Sequence, residues 1–148
     1  MKKFLLVIFF LYSCQENFES KYDKALALSE NNSYRESNVI LYKIIESPNS
    51  SEDMKNKSHF LLADIYLKIN QYENAISSYK KILNAPIDDR LRKQSVFMIG
   101  YIYFNNLNMY THAKKYYEQF KSEYENDDLI ASVNYEIKSI DEIINNAK

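Results

Sequence analysis

The side chains able to do chemistry in this 148-residue chain are few and scattered. Cys14 is the sole cysteine, so no internal disulfide and no multi-cysteine zinc site can form. His59 and His112 stand far apart, and neither has a ligand set beside it. Asp88-Asp89 and Asp127-Asp128 have the charge for calcium or for paired-carboxylate catalysis, yet each pair stands where a helix is expected to begin. Side-chain caps and first-turn acids explain them. With Gly100 as the one glycine, neither a G-x-G-x-x-G dinucleotide loop nor a Walker phosphate loop can be written. No nucleophile, base and orienting group are legible together. The expectation is a protein that is not an enzyme and takes no cofactor, no metal and no small-molecule substrate. Fourteen tyrosines invite stacking on bases, but a net charge of −1 provides no basic face to follow a nucleic-acid backbone.

Cys14 itself carries the one specific chemical signal. Residues 1–14 read MKKFLLVIFFLYSC: two lysines, nine apolar residues from Phe4 to Tyr12, then Ser13 and the cysteine. Nine residues in helix span about 14 Å, under half of a bilayer core of roughly 30 Å, so this run does not cross a membrane. A positive start, a short apolar run and a small residue before the cut have the form of a secretory leader. The stretch Leu11-Tyr12-Ser13-Cys14 resembles the bacterial lipobox, which implies a signal peptide over 1–13, an acyl chain on Cys14 and a short tether over 14–18. An ordinary secretory leader that happens to contain a cysteine is the alternative. Gln15, in place of an aspartate after the cysteine, leans toward the outer membrane.

The elements behind these residues repeat. Asn32-x-Tyr34, Asn70-x-Tyr72 and Asn108-x-Tyr110 recur at spacings of 38 and 38. Three residues after each tyrosine comes Ser37, Ala75 or Ala113; seven after comes Leu41, Tyr79 or Tyr117; ten after comes Ile44, Ile82 or Phe120. Upstream lie Ala25, Ala63 and Gly100, preceded by Tyr22, Phe60 and Phe97. Such a period is the mark of a stacked array. Each unit reads as two amphipathic helices joined by a short turn, with small residues where the backbones meet and a proline (Pro48, Pro86) closing the second helix. Almost no glycine or proline elsewhere excludes a sheet of tight hairpins. The fold expected over 19–148 is all-α: an α-solenoid of about three helix pairs. A last helix over 127–146, with Ile130, Val133, Ile137, Ile140 and Ile144 on one stripe, covers its end. By alignment with Ala25 and Ala63, Gly100 is a packing residue. Gly100→Ala is therefore expected to be neutral or stabilising by up to about 1 kcal/mol through helix propensity.

At Ala63-x-x-Tyr66, Asn70-x-Tyr72-x-x-Ala75-x-x-x-Tyr79 and Pro86 the sequence resembles the tetratricopeptide repeat (TPR). The third unit repeats the pattern as Gly100-x-x-Tyr103, Tyr110, Ala113 and Tyr117, with one extra residue placed in the turn, and the first unit is a degenerate copy. The resemblance implies a concave groove lined by the first helix of each pair. Counted from Ala63 and Gly100, its partner-binding positions are Lys57, Asp64, Lys68, Gln94, Tyr101, Phe104 and Asn105, with Phe60 and Phe97 either in the groove or buried between units. With the lipobox and the segment 113–124, the chain looks most like the assembly lipoproteins of the outer-membrane β-barrel machine (BamD/ComL-like). That likeness implies a scaffold on the periplasmic face of the outer membrane, held by its lipid and binding extended segments of envelope assembly proteins. A pilus-assembly pilotin, a cell-division or Tol-associated repeat protein, and a non-catalytic subunit of an envelope enzyme are the alternatives.

Overall fold

A computed structural model describes residues 17–83 and 89–147. Cys14, the leader, Pro86 and Asp88 lie outside the described residues. Within them the chain forms α1 (Phe18–Glu30), α2 (Tyr34–Glu46), α3 (Glu52–Lys68), α4 (Tyr72–Leu83), α5 (Asp89–Tyr101), a π-helical segment (Ile102–Asn106), α6 (Tyr110–Glu123) and α7 (Ile130–Asn146). Each helix packs on the next, giving the pairs α1/α2, α3/α4 and α5/α6, with α7 against α6. This is an all-α solenoid of three helix pairs and a terminal helix.

Local signals account for the helix ends. The Asn17 side chain accepts from the Ser20 amide at 3.0 Å, and that of Ser51 accepts from the Met54 amide at 3.2 Å, capping α1 and α3. The recurring Asn-x-Tyr is the turn inside each pair. Asn32, Asn70 and Asn108 are left-handed, with φ of 61°, 59° and 53°, a conformation asparagine tolerates better than most residues. Each turn tyrosine then donates its hydroxyl to the asparagine side chain: Tyr34 to Asn32 at 2.6 Å, Tyr72 to Asn70 at 2.9 Å and Tyr110 to Asn108 at 3.3 Å. In the first two turns the backbone closes as a Schellman motif, with Ser33 N–H on Leu28 O and Gln71 N–H on Tyr66 O, both at 2.8 Å.

The third turn departs from expectation. Its extra residue sits inside the helix, not in the turn. Leu107 N–H reaches back five residues to Ile102 O at 3.1 Å, making the π-helical segment, and Met109 N–H closes on Tyr103 O at 2.8 Å. The asparagine turn and the packing of α6 are preserved by widening one helical turn. The buried Asn106 Oδ1 finds no partner there. Deleting Asn106 should therefore restore α-helix and leave the melting temperature unchanged or higher. A loss as large as that from deleting Asn108, which breaks the turn, would contradict this account.

The repeat positions are the core. Ala25, Ala63, Ala75, Ala113, Leu41, Tyr79, Tyr117, Ile44, Ile82 and Phe120 are all fully buried. In the degenerate first unit, Ser37 replaces an alanine and its hydroxyl donates across the pair to Ala25 O at 2.7 Å, so the polar substitution is satisfied. Tyr66 packs against the core of its own unit and also bridges to the first: its hydroxyl meets that of Tyr42 on α2 at 2.6 Å. Of the α7 stripe, Val133 and Ile140 are fully buried, while Ile130, Ile137 and Ile144 pack partly against the same core.

Gly100 is buried, as its alignment requires, but the effect expected of Gly100→Ala reverses. A Cβ there would lie 3.0 Å from Tyr117 Cε1 and 3.1 Å from its Cδ1. That ring is fully buried and held by Phe97 at 5.8 Å between centroids, so it has little room to retreat. Overpacking of about 1–3 kcal/mol outweighs a helix-propensity gain of about 1 kcal/mol. Gly100→Ala should lower stability by about 1 kcal/mol and Gly100→Leu by more. A thermal melt in which Ala exceeds the parent would show that Tyr117 moves freely.

Candidate partner-binding groove

Helix contacts decide which face is concave. Among the described residues the backbones of α1 and α3 approach closely, as do those of α3 and α5, whereas those of α2 and α4 stay apart, as do those of α4 and α6. The odd-numbered helices are thus the closely spaced inner layer of the curve. The sequence positions counted from Ala63 and Gly100 fall on these helices and the π-helical segment.

Asp64, on α3, is partly buried and accepts a hydrogen bond from the Tyr79 hydroxyl, which crosses from α4. Burial pushes the Asp64 carboxyl above the usual carboxylate range, against the opposing pull of the Tyr79 hydrogen bond and the Lys68 charge. Burial also drives the Tyr79 hydroxyl far above its ordinary value, reinforced by the Asp64 charge. Asp64 therefore serves the helix pair first and presents its remaining acceptor capacity to the groove.

The other positions separate. Lys57 pairs with Asp53 at 2.9 Å, and that hydrogen bond is the main reason its pKa is raised. Lys68 is exposed and carries its ammonium 6.0 Å above the Tyr34 ring of α2, without pairing with Asp64. Gln94 is exposed, and Tyr101 is 39% exposed. Asn105 is exposed too, its Nδ2 donating to Tyr101 O at 3.2 Å. Phe104 is partly buried, edge-on to Tyr110 at 5.9 Å, because the wider π turn rotates residues after Tyr103 away from α-helical register. Phe60 and Phe97 are partly buried and rest on their own partner helices: Phe60 on Tyr79 at 5.4 Å, Phe97 on Tyr117 and Phe120 at 5.8 and 5.9 Å.

Two participants escape sequence reasoning. Tyr22 is half-buried, and burial raises its hydroxyl pKa, with Asp64 the next cause and Lys57 opposing. It joins α1 to the α3 groove residues, and its alignment with Phe60 and Phe97 was the available signal. Tyr117 takes the place of Tyr79 in the third unit, but Tyr101 stands where Asp64 would be. The buried Tyr117 hydroxyl has no hydrogen-bond partner, and burial, then the charge of Glu136 on α7, hold its pKa up.

The remaining candidates for chemistry have structural surroundings. Asp127 accepts from the Leu129 amide at 2.9 Å and pairs with Lys93, which lowers its pKa. His59 has a buried, unpartnered Nδ1 and a pKa lowered by burial; the His112 ring lies 5.1 Å from that of Tyr103. Among the described residues no three His, Cys, Asp or Glu side chains converge to hold a metal ion.

What this geometry defines is a curved stack of helix pairs with a polar and aromatic inner face. Residues 57–85 match one family model described as Tetratricopeptide repeat, and residues 94–127 match a second model of the same description. The chain contains tetratricopeptide repeats, and repeats of this kind typically bind protein partners. No curated protein matches it.

Proposed function

We propose that this protein is a lipid-anchored scaffold of the bacterial cell envelope, held at the periplasmic face of the outer membrane through Cys14. Its inner groove takes an extended segment of an envelope assembly protein. The observation that carries the reading is the inner layer itself. It places Tyr22, Asp64 and exposed Tyr101 on rigid helices whose other faces are used in packing. Aromatic area beside isolated charges suits a peptide bound through side-chain anchors. Recovery of β-barrel assembly subunits with the detergent-solubilised protein is the supporting result, and recovery of a pilus secretin or of peptidoglycan synthases would replace it.

The anchor has its own test. Cys14→Ser should abolish radiolabelled palmitate incorporation and signal-peptidase II processing. Equal labelling of variant and parent would remove the acyl chain from the proposal.

A further inference from the structure

Among the described residues, the first helix pair has a face that no other element covers. In the second and third units the corresponding side packs on the preceding pair, as α3 does on α2. Among the described residues nothing precedes α1. The open side holds a shallow cleft lined by Lys24 and Leu28 of α1 and by Arg35, Glu36, Val39 and Ile40 of α2. Val39 is 50% exposed, a large apolar residue left in solvent at the end of the stack.

Charge on this pair is sided: Lys24 and Arg35 line the cleft, with Glu36 its one acid. Lys21, Lys24 and Leu28 follow one another at helical spacing on α1, as Arg35, Val39 and Lys43 do on α2. The α1 acids Glu19 and Asp23 lie instead near Tyr22, toward α3 and the groove. Lys21 also places its ammonium 5.2 Å over the Phe18 ring. Around this aliphatic cleft the cations, with their long apolar stems, outnumber the single acid Glu36, a balance that suits an anionic headgroup layer.

The chain's own geometry brings that layer within reach. Three residues separate Cys14 from Phe18, and the four Cα-to-Cα steps between them span at most about 14 Å when fully extended. A lipid on Cys14 therefore keeps the start of α1 within about one helix length of the bilayer, since thirteen helical residues measure about 20 Å.

We infer that the outer face of α1 and α2, centred on Lys24, Leu28, Arg35 and Val39, rests on anionic lipid headgroups, directing the inner groove away from the membrane edge. This rests on the reading of the chain as membrane-held through its N-terminus. The chain has no tryptophan, so Val39→Trp in the full chain provides a single tryptophan that can be excited apart from the tyrosines. Reconstituted into vesicles of phosphatidylethanolamine and phosphatidylglycerol with brominated acyl chains, Val39→Trp should be blue-shifted. It should also be quenched several-fold more than Gln94→Trp in the groove or Lys81→Trp on α4. Adding Lys24→Glu to the reporter, or raising salt, should weaken that quenching. Equal quenching at the three positions, or none at Val39, would overturn the inference. So would a blue shift that grows with protein concentration without lipid quenching, which would place a second copy on the face. Mass spectrometry of Cys14 in the same sample reports the acyl chain separately, so loss of the tether and loss of the face contact are told apart.

Discussion

Tyr79→Ala should lower stability by about 3–5 kcal/mol, the largest effect of any single truncation in the second unit. The side chain is fully buried, so its removal opens a ring-sized cavity between α3 and α4. It also takes away the edge contact to Phe60 at 5.4 Å and the hydroxyl that serves Asp64. Tyr79→Phe isolates the second part. The ring remains, the partly buried carboxylate loses its donor, and about 1 kcal/mol should go. Asp64→Asn keeps an acceptor for the hydroxyl without a charge to desolvate, and should melt at or above the parent. The pH dependence has a definite sign. The folded Asp64 carboxyl holds its proton to higher pH than the unfolded one. Its contribution to stability is fully present below the unfolded carboxylate range and is lost as pH rises through the folded value. Asp64→Asn should remove that slope and leave the rest of the profile in place. Chemical denaturation across mildly acid pH measures all of these, and a Tyr79→Phe variant as stable as the parent would show that the hydrogen bond contributes nothing net.

Tyr101→Ala should weaken partner binding by on the order of 2 kcal/mol, about thirty-fold, with little change in melting temperature. Its ring is 39% exposed on the inner layer, so truncation removes contact area offered to a partner more than area used in folding. Phe104→Ala should behave differently, because that ring also packs on Tyr110; it should lose both affinity and stability. Lys81→Ala and Glu118→Ala, exposed on α4 and α6, should change affinity by under about 0.5 kcal/mol. Calorimetric titration with the co-purified partner is the measurement. Should Tyr101→Ala unfold the protein, its ring belongs to the core; should the outer-face variants lose binding, the groove is not the site.

Much of this molecule was determined by its sequence alone. The period of 38, the small residues at Ala63, Ala75 and Ala113, and the aromatic residues at Tyr79, Tyr117 and Phe120 define helix pairs, because only that spacing buries all of them at once. The asparagine in each turn is a local matter too, since a left-handed residue with a side-chain acceptor serves where glycine is scarce. Tertiary structure decided whatever depends on what lies across from a residue. An alignment places the extra residue of the third unit somewhere between Gly100 and Asn108. Only the need to keep α6 packed puts it in a π turn, which carries Phe104 against Tyr110. Gly100 and Ala63 look interchangeable in the repeat, yet Tyr117 lies so near Gly100 that an added methyl group would meet its ring at 3.0 Å. Asp64 reads as a groove charge, and spacing could not show that Tyr79 reaches through the pair to bind it. Tyr22 reads as packing, and its place beside Asp64 follows from the approach of α1 to α3. Periodicity specifies which side of a helix faces inward; which atom meets which is set by distances between helices that no single helix contains.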